Sequence, residues 1–292
     1  MASSTARNVL FDVQGPRARR TTLVLNLVGV LLVAALAWAV LGRLADQGQL
    51  TAEKWAPLVT ARTWENFLLP GLWQTLRAAL LAVVLSIAFG LVFGLGRLSQ
   101  LAPVRLVSTV VVEFFRAVPV LVMMIFFYLG LGRADLVEPA NVPFWAVVLG
   151  LMFYNGSVIA ELIRSGVHQL PRGQREAGLA IGLTPARSLR LIELPQALTA
   201  MLPSLVSQFV VILKDTALGY IITYPELLAS GRRLGSGDGN ILQTLFVVAL
   251  VFVLINYLLT LLADRLSRFL SYRTAGRTKP AEGPMAAAAA QD

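Results

Sequence analysis

Six long apolar segments, separated by polar connections, constrain this chain more than any other feature of its sequence. They occupy residues 22–41, 75–95, 118–131, 144–163, 198–213 and 241–262. A helix needs roughly 20 apolar residues to cross a lipid hydrocarbon core. Only 14% of the residues are charged, against about 25% in soluble proteins. The sequence therefore predicts an all-α integral membrane protein with six transmembrane helices.

Three stretches within or beside these segments carry finer signals. Residues 106–131 are too long for one span and are broken by Pro119, which indicates an amphipathic lead-in before the third span. Glu113 and Arg116 in that lead-in share a helical face, so we expect them to pair with each other or with neighbouring helices as a structural brace. Residues 217–222 are too short to cross and predict a re-entrant or interfacial piece. The glycine-rich residues 230–239 predict a loop.

Small residues predict one close helix contact. Gly90 and Gly94 form a GxxxG pair in the second span, which allows two helices to approach closely. The first segment could alternatively be a cleaved signal peptide, but its apolar run exceeds the roughly 7–15 residues of such a segment. A retained span is the preferred interpretation.

The distribution of basic residues predicts the topology. Sixteen of the 25 Lys and Arg residues lie on the side that holds both termini and residues 164–195, and six lie on the opposite side. Basic residues favour the cytoplasmic side, so both termini are predicted to be cytoplasmic. We accordingly divide the chain into four parts: a cytoplasmic N-terminal segment, the first span with an outer loop, a transmembrane domain and a disordered cytoplasmic tail, at residues 1–21, 22–71, 72–270 and 271–292.

One hydrophilic stretch, residues 171–195, predicts a bent pair of short helices. Residues 174–181 have helix-forming composition with Glu176 in the expected first turn, where its charge suits the helix dipole. Gly182 follows where a left-handed C-terminal residue is needed. Thr184 is a typical N-cap residue and precedes a proline, so a second helix begins at once. Such a rigid element between two spans is suited to docking.

The sequence favours a transporter or scaffold over an enzyme. It contains no G-x-x-x-x-G-K-[ST] phosphate-binding motif, no cysteine and a single histidine, His168. No metal-ligand cluster or activated nucleophile stands out. We therefore expect no catalytic residue, no metal and no cofactor in this chain, and any ATP must be bound by a partner.

The docking stretch resembles the EAA loop of type I ABC importer permeases. Glu176-Ala177-Gly178, then Gly182, then Ile192-Glu193-Leu194-Pro195 reproduce the spacing of that motif. Gly178 replaces the usual second alanine, a change between small residues that should leave docking intact. Residues 113–122, 160–174 and 211–218 resemble runs of the polar amino acid subfamily, so the likeness covers about residues 72–270. Residues 9–17 also resemble actinobacterial glutamate permeases.

The resemblance implies a function and a set of partners. An ABC ATPase homodimer would dock on Glu176, Ala177, Gly178, Gly182 and Leu183, with Leu179 and Leu183 as the apolar contacts. A second permease chain, identical or related, and an extracytoplasmic amino acid-binding protein would complete an importer of polar amino acids, with glutamate favoured, in the bacterial plasma membrane. An ion-coupled secondary transporter is the alternative, and a signalling or scaffold protein is a second one.

Polar residues within the spans are candidates for the substrate pathway. Lys214 could meet a substrate carboxylate, although the adjacent Asp215 cannot face the same partner. Asn155 and Ser157 could donate uncharged hydrogen bonds. Glu161 is more typical of a structural pair than of substrate contact. The full candidate set comprises Asn155, Ser157, Glu161, Lys214, Asp215 and Thr216.

Overall fold

The computed structural model describes residues 15–275, and that part of the chain is helical with no β-strand. In chain order its α-helices are α1 Pro16–Asp46, α2 Ala52–Trp55, α3 Ala61–Thr63, α4 Leu69–Arg97, α5 Ala102–Ala117, α6 Val120–Ala134, α7 Val142–His168, α8 Arg172–Ala180, α9 Pro185–Ser188, α10 Leu194–Asp215, α11 Leu227–Gly237 and α12 Ile241–Ala275. Most of the predicted N-terminal segment 1–21 and of the tail 271–292 lies outside the described residues.

The prediction of an all-α membrane protein with about six spans is confirmed. Within residues 15–275, five helical runs are long and apolar enough to cross a membrane, and a bent pair of helices can supply a sixth. The five runs are Ala18–Asp46, Ala61–Arg97, Pro139–His168, Pro185–Ile222 and Ile241–Leu262.

The bent pair consists of α5 and α6, which meet at 99°. Val118 is extended, with φ −84° and ψ 126°, because a residue before proline is driven out of the helical region. Pro119 then begins α6 as its N-cap residue. The predicted break at Pro119 is confirmed. The lead-in helix α5 is amphipathic, since it buries Ser108 and Val112 and leaves Phe114 exposed.

Helix α7 lies at the centre and packs against α4, α5, α6 and α10. A Cβ atom at Gly90 of α4 would overlap the Ile159 side chain, and one at Gly94 would lie 3.1 Å from the Ala160 carbonyl oxygen. The absence of side chains at these two positions therefore lets α4 approach α7 closely. The predicted packing role of the glycine pair is confirmed.

The end of the bundle that carries α11 differs from the prediction. Helix α10 continues into a 3₁₀ turn, Thr216–Ile222, which is followed by a reversal at Thr223 with φ 64°. The glycine-rich residues 230–239, predicted as a loop, are largely helical within α11. That prediction was wrong because two of those glycines, Gly231 and Gly235, pack closely against Thr244 and its neighbours, and α11 also covers α4.

The described residues up to Pro57 form a separate compact unit. Its main element, α1, has side chains that are exposed around the whole helix, with Trp38 82% accessible. A helix that is apolar on every face is suited to a lipid environment. At the other end of the chain, α12 continues to Ala275, beyond the predicted sixth span.

Candidate functional site

The connection between α7 and α10, residues 171–193, is called the coupling element below. It comprises α8, α9 and a π-helical turn, Leu189–Glu193, that runs directly into α10. Helix α8 begins at Arg172, two residues earlier than predicted, so Glu176 lies in its second turn. The predicted interaction of Glu176 with the N-terminal helix dipole is therefore wrong, because that effect is confined to the first turn.

Gly182 ends α8 in the left-handed conformation that the sequence predicted. Its φ angle is +86°, and no atom lies within 4 Å of a Cβ built on it. The Leu183 N–H donates to the Gly178 carbonyl at 3.1 Å, and the Gly182 N–H donates to the Leu179 carbonyl at 3.0 Å. These two bonds form a Schellman motif, which satisfies the last carbonyls of the helix and fixes the bend.

The second half of the coupling element is joined to α10. The Thr184 hydroxyl caps α9 by accepting from the Arg187 N–H at 3.4 Å, as predicted. The Gln196 side-chain amide donates to both the Gln174 amide oxygen, at 3.1 Å, and the Ile192 carbonyl, at 2.9 Å. The base of α10 is thereby tied to α8, so the element and α10 are mechanically connected.

Gly178 is the closest contact between the two halves of the coupling element. A Cβ atom there would lie 2.7 Å from the Ser188 hydroxyl oxygen and 3.0 Å from the Ile192 Cδ1 atom. The buried Ser188 hydroxyl donates to the Glu193 carboxylate at 2.9 Å. An alanine at position 178 would therefore disturb this bond, so the replacement of alanine by glycine in the motif has a local structural reason.

The exposed surface of the coupling element combines small, apolar and charged groups. Glu176 and Ala177 are exposed, as are Leu179, at 40%, and Ile181, at 77%. Leu183 lies beyond the end of α8 and is half-buried. The prediction that Leu183 and Leu179 together form an apolar contact face is therefore wrong. Ile181 was missed by the sequence reasoning, although its position before the helix-ending glycine could have indicated it.

A network of ion pairs lies at the same end of the bundle and joins α4, α5 and α7. Arg97 contacts Glu113 at 3.0 Å and Glu161 at 2.8 Å, and its side chain is only 7% exposed. Arg164 pairs with Glu161 at 2.6 Å. Arg116 pairs with Glu113 at 3.4 Å, as the spacing of these two residues predicted. Each charge in this network has an opposite partner, which compensates for its loss of hydration.

Asn155 and Ser157, candidates for the substrate pathway, are buried within the described bundle. The Asn155 amide donates to the Leu151 carbonyl at 3.0 Å and accepts from the Gln208 amide on α10. The Ser157 hydroxyl donates to the Phe153 carbonyl of its own helix at 2.7 Å. The structure thus brings Asn155 together with Gln208, which sequence reasoning did not single out.

The other pathway candidates lie apart from this pair. Lys214 is exposed and Asp215 half-buried at the end of α10. Thr216 is buried and its hydroxyl donates to the Leu213 carbonyl at 2.6 Å. Glu161 belongs to the ion-pair network at the opposite end of the bundle. The six candidates therefore do not form one cluster.

Long-range hydrogen bonds organise the α11 end. The Tyr224 hydroxyl donates to the Gln74 carbonyl at 2.7 Å, and the Leu227 N–H donates to the Thr75 hydroxyl at 3.0 Å. The buried Glu226 carboxylate accepts from the Leu228 and Ala229 N–H groups at 2.7 and 2.6 Å and so caps α11. Burial raises the pKa of Glu226 to about 7, although these N–H donors act in the opposite direction.

Comparison with known proteins agrees with the resemblance to ABC importer permeases. Residues 82–272 match the family described as binding-protein-dependent transport system inner membrane component. The chain is 47% identical to the glutamate transport system permease protein GluD of Corynebacterium glutamicum, over 81% of this chain and 85% of that protein. It is 32% identical to the glutamate/aspartate import permease protein GltK of Escherichia coli O157:H7, over 69% of this chain and 92% of that protein.

Solved structures show the same fold. An amino acid ABC transporter crystallised with histidines matches with a TM-score of 0.64 and 28% identity, over 70% of this chain and 94% of that chain. An inward-facing methionine transporter, MetNI, matches with a TM-score of 0.61 at 20% identity, over 72% of this chain and 98% of that chain, which indicates the fold alone. The chain therefore belongs to the binding-protein-dependent transport system inner membrane component family, as its resemblance to ABC importer permeases predicted.

Proposed function

We propose that this chain is the membrane-spanning subunit of an ATP-driven importer of polar amino acids, with glutamate as its cargo. The observation that carries the proposal is the coupling element, a rigid bend that exposes Ile181 and Leu179 beside small residues and is tied to α10. The similarity to GluD and GltK, whose names specify glutamate transport, supports the cargo.

The proposed orientation places both termini and the coupling element in the cytoplasm. The excess of Lys and Arg at that side supports it. An ABC ATPase homodimer would then bind the coupling element and hold the ATP. A second permease chain, identical or related, would complete the pathway, and an extracytoplasmic binding protein would deliver the amino acid.

The contacts of the coupling element suggest how ATPase closure reaches the spans. Its two halves are held by the Schellman motif and by the Ser188–Glu193 bond. Gln196 joins it to α10, and the ion-pair network joins α4, α5 and α7 at the same end. A displacement of the element by the ATPase would therefore move these helices rather than bend the connection.

Two parts of the pathway are proposed for the cargo. The Asn155–Gln208 pair connects α7 with α10 and can exchange its hydrogen bond for one to an amino acid. Lys214 is exposed at the outer end of α10, where it can attract a carboxylate. Ser157 and Thr216 hydroxyls, in contrast, donate to backbone carbonyls, which leaves only their lone pairs for a substrate.

Uptake into liposomes tests the proposal. The chain is co-purified with its ATPase and reconstituted, the binding protein is added outside, and ATP is enclosed. We expect glutamate uptake that requires both ATP and the binding protein. Uptake driven by a sodium or proton gradient without ATP would instead indicate a secondary transporter and would contradict the proposal.

A further inference from the structure

Arg77 is a cation of the membrane-spanning helix α4 to which neither the coupling element nor the ion-pair network assigns a role. Its guanidinium carbon lies 4.2 Å from the centre of the Phe144 ring on α7. Its Nε atom is buried without a hydrogen-bond partner. Arg77 follows Gln74 by one helical turn, and both lie at the α11 end, which is the outer end in the proposed orientation.

Three other arginines of the bundle have carboxylate partners. Arg97, Arg116 and Arg164 all take part in the ion-pair network, and none of the five ion pairs found among the described residues includes Arg77. An ionisable residue within a membrane span needs a reason of this kind, since its insertion is unfavourable. Within the described part of the chain, the charge of Arg77 faces an aromatic ring and forms no ion pair.

Neighbouring groups do not neutralise Arg77. The nearby Arg77 guanidinium lowers the pKa of Tyr224, but burial outweighs it and raises that pKa to about 12, so the Tyr224 hydroxyl stays uncharged. The Glu226 carboxylate is bound by two N–H groups of α11. The chain thus holds a guanidinium at the α11 end, against the Phe144 ring, with its Nε donor unpaired.

We infer that Arg77 is the specificity-determining counter-charge for amino acids of net negative charge, and that it receives their side-chain carboxylate. This inference rests on the proposed function. A zwitterionic amino acid carries its own ammonium group and adds no net charge to the site, whereas glutamate adds one negative charge. A fixed arginine therefore favours glutamate over the isosteric glutamine, and its planar fork matches a carboxylate.

Equilibrium binding to the purified permease–ATPase complex, without the binding protein, tests the inference. Radiolabelled glutamate and glutamine are compared for the wild type, Arg77→Gln and Arg77→Lys. We expect Arg77→Gln to weaken glutamate binding roughly tenfold and to change glutamine binding less than twofold. Arg77→Lys keeps the charge and should retain part of the preference. The ratio of the two affinities is independent of the amount of complex that assembles.

Arg232→Gln is the matched control. Arg232 also lies at the α11 end, is exposed, and has its guanidinium carbon 5.0 Å from the Tyr220 ring centre. We expect its substitution to leave the affinity ratio unchanged. An equal loss in Arg232→Gln, an equal loss of both amino acids in Arg77→Gln, or unchanged glutamate binding would each overturn the assignment.

The two claims fail separately. If the wild-type complex takes up glutamate with ATP while Arg77→Gln binds it normally, the Arg77 inference is wrong and the proposed function stands. If the wild type shows no ATP-dependent glutamate uptake, the proposed function is wrong and the carboxylate assignment falls with it.

Discussion

The two ends of the helix bundle both contain a capped helix after a reversal, but they are built in different ways. In the coupling element, Thr184 caps α9 through its nearest residues, and the reversal at Gly182 uses hydrogen bonds that span at most five residues. At the α11 end, Glu226 caps α11 while buried, and Tyr224 bonds to Gln74 across 150 residues of sequence. One end is specified locally, and the other depends on tertiary contacts.

This difference has a functional consequence. A locally specified bend keeps its shape when the helices around it move, which suits an element that transmits force from a partner. The α11 end is joined to α4 by Thr75 and Gln74, so its geometry depends on where α4 lies. We therefore expect changes in the coupling element to alter coupling, and loss of the contacts that cap α11 or join it to α4 to alter stability.

The largest effect is expected for Gly182→Trp. A non-glycine residue at φ +86° is strained by roughly 1–2 kcal/mol, and the ring would occupy the tip of the docking surface. We expect ATP-dependent glutamate uptake to fall at least tenfold while the protein still inserts. The assay compares uptake with ATP hydrolysis in the same liposomes.

Gly173→Trp is the control for Gly182→Trp. Gly173 also has no atom within 4 Å of a built Cβ, but it lies near the start of α8 and lacks a positive φ angle. Uptake should be affected less. Full uptake by Gly182→Trp would refute the docking role of the bend.

A smaller effect, on stability, is expected for Glu226→Ala. Loss of a capping side chain destabilises a helix by roughly 0.5–2 kcal/mol, so the thermal midpoint in detergent should fall. Asp238→Ala, at the other end of α11, removes an exposed carboxylate and should shift the midpoint less. If Glu226→Ala lowered the ratio of uptake to ATP hydrolysis and left the thermal midpoint unchanged, the assignment of coupling to one end and stability to the other would be contradicted.

Glu226 is also expected to make the stability of the folded protein depend on pH. Because the folded-state pKa of Glu226, about 7, lies above its ordinary value of 4.5, the folded protein binds the proton more tightly than the unfolded chain. The contribution to stability is therefore complete below pH 4.5 and declines as the pH rises towards 7. Thermal midpoints measured from pH 5 to 8 should fall more steeply for the wild type than for Glu226→Gln; equal slopes would contradict the assignment.

The smallest effect is expected for Gly178→Ala. The added Cβ would displace the Ser188 hydroxyl from Glu193, which overpacks the bend and destabilises it by about 1 kcal/mol. We expect the ratio of uptake to ATP hydrolysis to decrease measurably. Gly173→Ala, where a Cβ meets open space, should leave the ratio unchanged; an equal decrease in this control would show that the effect does not come from the Ser188 contact.

Local patterns explain how much of the fold was predictable. The apolar runs, the break at Pro119, the Gly182 bend and the Thr184 cap all depend on interactions within a few residues, so one sequence reveals them. Helix α11 was mistaken for a loop because its glycines suggest flexibility. Their close contacts with Thr244 and Val248 of α12 become apparent only in three dimensions.

In the candidate site, too, only the features that depend on nearby residues could be predicted from the sequence. The motif spacing located the coupling element, but it indicated Leu183 rather than the exposed Ile181 as an apolar contact. Arg77 carries no motif, and its lack of a carboxylate partner is a property of the arrangement of α4, α7 and the segment before α11. The roles of the six pathway residues stay predictions, as do those of the five coupling residues.

Site-directed cross-linking tests the central claim, that the coupling element is where an ATPase docks. The chain contains no cysteine, so Ile181→Cys introduces a unique thiol at an exposed position, to which a photoreactive maleimide is attached in the purified complex. We expect a covalent product with the ATPase subunit from position 181 and none from Gly237→Cys at the opposite end. An ATPase product from position 237, or its absence from position 181, would contradict the account.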